Sequence, residues 1–201
     1  MTAFHRLVQR GAEWGAELVL IDVGPNLGAI NRSALIASDQ VCLPLAPDLF
    51  SLQGLKNLRP TLREWRTVWA ELLTKAPLDL PMPRGAMQPA GYIVMQHGIL
   101  DTRPVKAYKR LMERIPLVYR DAVLNEPITS LPPVAQDPYC LSLLKHYRSL
   151  MPMAMEARKP IFSLKSADGA IGAHIEAVRS CYLDFQNLAA KIAAAAGIAF
   201  Q

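Results

Sequence analysis

The most informative stretch of the sequence is Leu18-Val-Leu-Ile-Asp22-Val-Gly24-Pro25-Asn26-Leu27-Gly28. Residues 17–22 form a short apolar run that ends in an aspartate, a pattern typical of a strand buried on both faces of a parallel sheet. Ligands bind at the carboxyl ends of strands in open α/β sheets, where a carboxylate can hold Mg²⁺ beside phosphates, usually through water. The stretch therefore predicts a strand over residues 17–22 with Asp22 as a candidate metal ligand.

Strand and helix patterns alternate along the rest of the chain. Further strands are predicted at residues 40–45, 90–96 and 160–164. Helices are predicted at residues 2–14, 31–37, 51–74 (capped by Ser51 and interrupted at Pro60), 104–114, 140–156 (broken at Pro152) and 171–192. This alternation favours one α/β domain over residues 1–201, a doubly wound, mostly parallel sheet with helices on both faces.

Composition argues against a disordered, a membrane-spanning or a secreted protein. With 51% hydrophobic and 19% charged residues, the 201-residue chain is not largely disordered. No apolar run approaches the roughly 18 residues that span a bilayer, and the first residues show no signal-peptide pattern. The three cysteines, Cys42, Cys140 and Cys181, are widely separated in apolar surroundings and are interpreted as reduced thiols. We therefore expect a cytoplasmic protein without a membrane partner.

A second stretch, Pro44-Leu-Ala-Pro-Asp48-Leu-Phe50-Ser-Leu-Gln-Gly-Leu55, follows the first one after a helix and a strand. Together the two stretches resemble the ParA/MinD family of deviant-Walker ATPases. That family reads roughly Asp-x-Pro-Pro-x-Leu-Gly, then a strand, then Pro-x-x-x-x-Phe-x-Leu-x-Gly-Leu. The resemblance is strong for residues 17–58 and looser towards the end of the chain.

The resemblance implies roles for the residues that match the first motif. Asp22 would be the Walker B acid, and Gly24, Pro25 and Asn26 would form the switch loop that senses the γ-phosphate. Gly24 stands where the family usually has proline, which adds backbone freedom to the loop. By resemblance, the complete protein would use ATP and Mg²⁺, form a homodimer that acts as an ATP-dependent switch on DNA in partitioning cargo, and respond to a stimulating partner protein.

The family's phosphate-binding P-loop is missing from this sequence. No Gly-Lys pair occurs anywhere in the chain, and the nearest glycine-rich element, Gly169-x-x-Gly172, is predicted to be a turn before the last helix. In the family the P-loop precedes the Walker B strand with its own strand and helix, whereas one helix precedes Glu17 here. We expect a carboxy-terminal part of a ParA-like domain that is incomplete at its amino terminus, or a chain whose phosphate cradle comes from another polypeptide. By itself the chain is expected neither to bind ATP tightly nor to hydrolyse it.

Two predicted helices carry basic residues on one face. The residues are Lys56, Arg59, Arg63 and Arg66 on the first helix and Lys106, Lys109, Arg110 and Arg114 on the second. Such a face can be an ordinary solvated surface, or it can contact DNA phosphates without reading bases. ParA-type proteins bind DNA without sequence preference, so the resemblance favours non-specific DNA as a partner.

Three functions remain open from the sequence. The first is the ATP-driven partitioning switch, and the second is a non-catalytic DNA- or protein-binding module that keeps the fold without hydrolysis. The third is a GPN-type GTPase, suggested by Gly24-Pro25-Asn26. That triad follows the strand acid too closely, and no guanine-reading Asn/Thr-Lys-x-Asp pattern occurs. The ATP-driven switch and the non-catalytic module can be distinguished by the upstream reading frame. A Lys-Gly-Gly-x-Gly-Lys-Thr-like loop encoded there would favour the switch.

Overall fold

Three parallel strands form a sheet in the order β1-β2-β3. The strands are β1 (Gln40–Leu45), β2 (Gln88–His97) and β3 (Cys140–Lys145). They are seen in a computed structural model that describes residues 2–24, 26–97, 105–126 and 131–199. In the register, Gln40 lies opposite Gln88 and Tyr92 lies opposite Cys140. The sequence correctly predicts the first two of these strands.

Helices connect and flank the strands. The α-helices are α1 (Thr2–Glu13), α2 (Ala29–Ile36), α3 (Leu49–Leu73), α4 (Val105–Tyr119), α5 (Leu150–Ala157) and α6 (Ala173–Ala195). A π-helix, Arg120–Leu124, continues α4, and short 3₁₀ turns occupy Val134–Gln136, Ile161–Ser163 and Ser166–Asp168. None of the described helices is both long and apolar enough to cross a membrane.

The core lies on both faces of the sheet because side chains alternate along each strand. Tyr92 and Val94 of β2 pack in one cluster with residues of α3 and α4. Ile93, which points to the other face, packs with Leu141 of β3 and Leu188 of α6. Helices therefore cover both faces of a small parallel sheet, as an α/β architecture requires; a full doubly wound sheet stays an expectation.

Helix α3 differs from the prediction at its start and in its middle. Asp48, and not Ser51, caps the helix, because the Asp48 carboxylate accepts a hydrogen bond of 2.7 Å from the Ser51 amide. The helix also continues through Pro60. Proline removes one backbone hydrogen bond, but the buried side chains of Leu55 and Leu62 on either side hold the same face against the core.

Residues 140–156 were predicted as a broken helix, and this prediction is wrong. The first part is β3, which pairs with β2 and buries Leu141 and Leu144. A short apolar run fits a strand or a buried helix equally well, so its periodicity does not decide between them. Pro152 does not break α5, because it lies in the first turn, where the amide of a residue has no partner within the helix.

Residues 160–164 do not form the predicted fourth strand. They contain the 3₁₀ turn Ile161–Ser163, and Leu164 packs with Leu150 and Val178. The run therefore fills a helical cluster beside α6 and does not extend the sheet. Gly169 and Gly172 have positive φ angles of 88° and 56° in the turn before α6, as predicted.

Candidate nucleotide-phosphate site

The predicted strand over residues 17–22 is absent from the sheet. Residues 16–24 form neither helix nor strand, and Leu18 and Leu20 are 41% and 74% exposed. A strand needs a neighbour to pair its backbone groups, and among the described residues β1 pairs only with β2. The prediction of a strand at residues 17–22 is therefore wrong: the segment is apolar like a strand, but it pairs with no strand of the described sheet.

A cavity of about 350 Å³ separates this segment from the unpaired edge of β1. Leu18 and Leu20 line it from the segment, and Gln40 and Cys42 line it from β1. Helices α1 and α6 contribute further side chains to the lining. The cavity is therefore a cleft between a free sheet edge and an apolar stretch of chain that has no pairing partner.

The loop after Asp22 is held by Asn31, a residue that sequence analysis missed. The Asn31 Nδ2 donates hydrogen bonds to the carbonyls of Gly24 and Asn26, at 2.9 and 2.7 Å. The Gly28 amide donates to Asn26 Oδ1 at 3.0 Å, directly before α2 begins. The only signal in the sequence was an asparagine in the first turn of the predicted helix. Of the proposed switch residues, Pro25 lies outside the described residues.

Asp22 lies exposed at the end of the segment. Within the described part of the chain it forms no hydrogen bond or ion pair, and no cluster of three or more His, Cys, Asp or Glu side chains that could hold a metal occurs there. Mg²⁺ commonly takes one or two carboxylates and completes its shell with water and substrate phosphates. Asp22 therefore fits a water-bridged metal contact, but without a P-loop the 201 residues do not make a complete ATP site.

Residues 13–74 match the family model of an AAA domain. This AAA-like segment contains Asp22, the loop held by Asn31, β1 and α3. The match indicates a P-loop NTPase-like domain, which agrees with the resemblance to ParA/MinD proteins at that coarse level, and it covers less than half of the chain. Searches among curated proteins and among solved structures find no match.

The basic residues of the AAA-like segment have different surroundings. Lys56 and Arg63 are exposed and line one cavity. Arg66 turns towards the core, where its guanidinium donates to the carbonyls of Ala86, at 2.9 Å, and Met87. Burial lowers the pKa of Arg66. Arg66 thus connects α3 to the segment before β2. It does not lie on an exposed basic face with Lys56 and Arg63, as the sequence pattern predicts.

On α4, Lys109, Arg110 and Arg114 are exposed, and the Lys109 Nζ lies 3.8 Å from the Glu113 Oε1. The side chains of Arg59 and Lys106 lie outside the described part of the structure. Three described cations therefore remain available on α4, one of them beside an acid.

A buried ion pair also escaped the sequence analysis. Arg120 of the π-helix pairs with Asp137, which is fully buried and also accepts a hydrogen bond of 2.6 Å from the Tyr92 hydroxyl. Burial raises the pKa of Tyr92, and the bond to Asp137 raises it further. Nothing in the sequence connects these three residues, which come together only when the π-helix packs beside the sheet.

The cysteines lie in the core or at its margin as free thiols. Cys140 and Cys181 are buried and Cys42 is half-buried. Burial raises the pKa of both Cys42 and Cys140 to about 11. These two thiols are therefore protonated at neutral pH and are poor nucleophiles.

Proposed function

We propose that this chain is the phosphate-sensing part of a ParA/MinD-type nucleoside-triphosphatase. The observation that supports this most is the AAA match over residues 13–74, a segment in which Asp22 is followed by hydrogen bonds that involve Gly24, Asn26 and Gly28. In the proposal Asp22 holds Mg²⁺ through water. Gly24, Pro25 and Asn26 respond to the γ-phosphate of ATP.

Within this proposal Asn31 is a positioning residue. Its side-chain amide donates to the carbonyls of Gly24 and Asn26, so it ties these two residues to the first turn of α2. Bound ATP and Mg²⁺ supply the phosphoryl group and the charge that offsets its negative oxygens during transfer. In the proposal, the chain contributes an acid and a phosphate-sensing loop that lie beside that group.

In the proposal, the phosphate cradle lies beside β1. The cleft presents the unpaired backbone groups of β1 on one side and the apolar side chains of Leu18 and Leu20 on the other. Because an unpaired sheet edge is a template for another strand, we assign the cleft to the strand that leads into the P-loop. In this arrangement the incoming strand pairs with β1 and gives residues 17–22 the neighbour that they lack.

The switch function in partitioning rests on the resemblance and on the exposed cations. In the proposal, the ATP-bound homodimer binds DNA through basic residues of α3 and α4, and a partner protein stimulates hydrolysis. Lys56, Arg63, Arg110 and Arg114 are exposed as such contacts require. Arg66 contributes indirectly, since its guanidinium is bound to the carbonyls of Ala86 and Met87.

A non-catalytic binding module is the second candidate. The observation that favours it is the lack of any Gly-Lys pair in the 201 residues. Such a module would keep the fold and the exposed cations, and Asp22 would have no role in metal binding or hydrolysis.

Mutation of Asp22 tests the proposal in a protein that joins this chain to a P-loop polypeptide. We expect Asp22→Ala to lower Mg²⁺-dependent ATP turnover by about 100-fold, the usual scale for removing one charge-stabilising contact. Asp79→Ala is the matched control, because Asp79 is an exposed acid on a loop remote in sequence. Equal turnover of Asp22→Ala and the parent protein would reduce Asp22 to a surface acid and favour the non-catalytic module.

A further inference from the structure

Helix α2 contacts the loop after Asp22 through one residue and helix α3 through the next. Asn31 donates hydrogen bonds to the loop carbonyls, as described above. Arg32 lies against α3, where its guanidinium carbon is 5.4 Å from the centre of the Trp65 ring. Successive residues of an α-helix are rotated by about 100° around its axis. The two side chains therefore leave the first turn of α2 in different directions, one towards the loop and one towards α3.

The ring of Trp65 is the interaction that the structure gives to the Arg32 charge. The Arg32 side chain is half-buried, and its Nε atom is buried with no hydrogen-bond partner among the described residues. Within the same part of the chain Arg32 forms no ion pair with a carboxylate. Tryptophan attracts a cation more strongly than the other aromatic rings, and the attraction increases as the two groups lose water.

Trp65 belongs to the packed core. It is 7% exposed and shares a cluster with Ile36 of α2 and Val41 of β1. Core side chains interdigitate closely and have little room to move. The contact with Trp65 therefore connects Arg32, and the start of α2 with it, to a well-packed part of the molecule.

We infer that Arg32 is a positioning residue for the proposed switch loop. Its contact with Trp65 holds the first turn of α2 at the place from which Asn31 reaches the carbonyls of Gly24 and Asn26. Arg32 acts through α2 and Asn31 and is assigned no contact with the nucleotide. The consequence for hydrolysis rests on the proposed function, whereas the placement of the loop does not depend on ATP.

Hydrogen exchange measured by NMR on the 201-residue chain tests the inference. The reporters are the Gly28 backbone amide, which donates to Asn26 Oδ1, and the Asn31 side-chain amide. We expect Arg32→Met to speed exchange at both reporters about tenfold, because a partly desolvated cation–π contact is lost. Arg32→Lys keeps a cation for the Trp65 ring and should restore most of the slow exchange.

Two comparisons separate a local effect from a loss of overall stability. The Tyr92 amide donates to the Tyr139 carbonyl at 2.8 Å, and its exchange should stay unchanged in Arg32→Met. Arg179→Met is the matched control, because Arg179 is a helical arginine of α6 whose side chain is 73% exposed. The inference is overturned if Arg32→Met exchanges like the parent protein or like Arg179→Met, or if the Gly28 and Tyr92 amides speed up equally.

Turnover gives a second readout in the protein that joins this chain to a P-loop polypeptide. We expect Arg32→Met to lower ATP turnover about tenfold without changing the affinity for Mg²⁺-ATP, because a displaced loop affects the reaction and not the cradle. Turnover equal to that of the parent protein would also overturn the inference. If the joined parent protein binds no ATP, the proposed function fails, and the exchange rates of the chain alone still decide the role of Arg32.

Discussion

Arg120 and Asp137 form a bidentate ion pair inside the protein, with nitrogen–oxygen distances of 2.9 and 2.6 Å. The Asp137 side chain is fully buried and that of Arg120 is 11% exposed. The pair ties the π-helix to the turn before β3, and the Tyr92 hydroxyl extends it to β2. One carboxylate therefore connects three elements of the fold.

This arrangement predicts how stability depends on pH. Burial opposes ionisation of Asp137, but the hydrogen bonds from Arg120 and Tyr92 outweigh it and lower its pKa. An unfolded aspartate titrates at about 3.9. The contribution of Asp137 to stability is therefore complete above that pH and disappears as pH falls through the lower folded-state pKa. We expect the free energy of unfolding to decrease in acid for this reason.

Asp137→Asn removes this pH dependence and leaves the Arg120 charge without a partner. Breaking a buried pair costs about 3–5 kcal/mol, so urea unfolding at pH 7 should show a destabilisation of that size. Asp79→Asn, at an exposed acid, is the control and should behave like the parent protein. Equal stability of the two variants at pH 7 would mean that the ion pair contributes nothing to folding.

A second prediction concerns the close approach of Gly85 to Trp69. Gly85 has a φ angle of 67°, and a Cβ added there would lie 2.3 Å from the Trp69 ring. Gly169 has a φ angle of 88° with no atom within 4 Å of such a Cβ. We expect Gly169→Ala to destabilise the fold only by the backbone cost of about 1–2 kcal/mol, and Gly85→Ala to destabilise it clearly more. Equal effects in thermal unfolding would show that Trp69 moves aside freely.

Sequence patterns predicted those parts of the fold that depend on local chemistry. The periodic stripe of α6 has the predicted type because its apolar spacing specifies a helix. The runs of β1 and β2 have the predicted type because each is as short as a strand and is flanked by turn-forming residues. The run over residues 140–145 was misassigned because its pairing with β2 is a tertiary contact. The strand predicted at residues 17–22 is also wrong. Its apolar pattern is typical of a strand, but the segment pairs with no strand of the described sheet.

The candidate site was predicted unevenly. Asp22 and its loop follow from one motif, and the family match covers the same segment. The role of Asn31 depends on how α2 turns back on the loop, and the inward turn of Arg66 depends on the chain before β2. Such tertiary arrangements leave no periodic pattern to detect.

A third prediction addresses DNA. In the complete protein with ATP, reversing the charges of Arg59 and Arg63 should weaken binding to unrelated duplexes equally. Removal of one phosphate interaction should flatten the slope of log affinity against log salt by roughly 0.9. Arg66→Glu should instead lower stability, because the Arg66 guanidinium is bound to backbone carbonyls. Unchanged DNA affinity after both reversals would make this face an ordinary solvated surface.

The open edge of β1 gives a fourth prediction. The chain alone should self-associate as its concentration rises, because the cleft leaves backbone groups and apolar side chains uncovered. Leu20→Lys places a charge in the cleft and should reduce association in sedimentation velocity. Leu78→Lys, at an exposed leucine that does not line the cleft, is the control. A monodisperse monomer that melts cooperatively would show that the sheet needs no further strand.

In the proposed function, this chain supplies the acid and the switch loop of an ATP site whose phosphate cradle lies elsewhere. Calorimetric titration with Mg²⁺-ATP tests this most directly, first on the 201-residue chain and then on the chain joined to a P-loop polypeptide. Without the backbone amides and lysines of the cradle, the phosphates have no pre-formed site. We expect no tight binding by the chain alone and micromolar binding by the joined protein; micromolar binding by the chain alone would contradict the proposed division of the site.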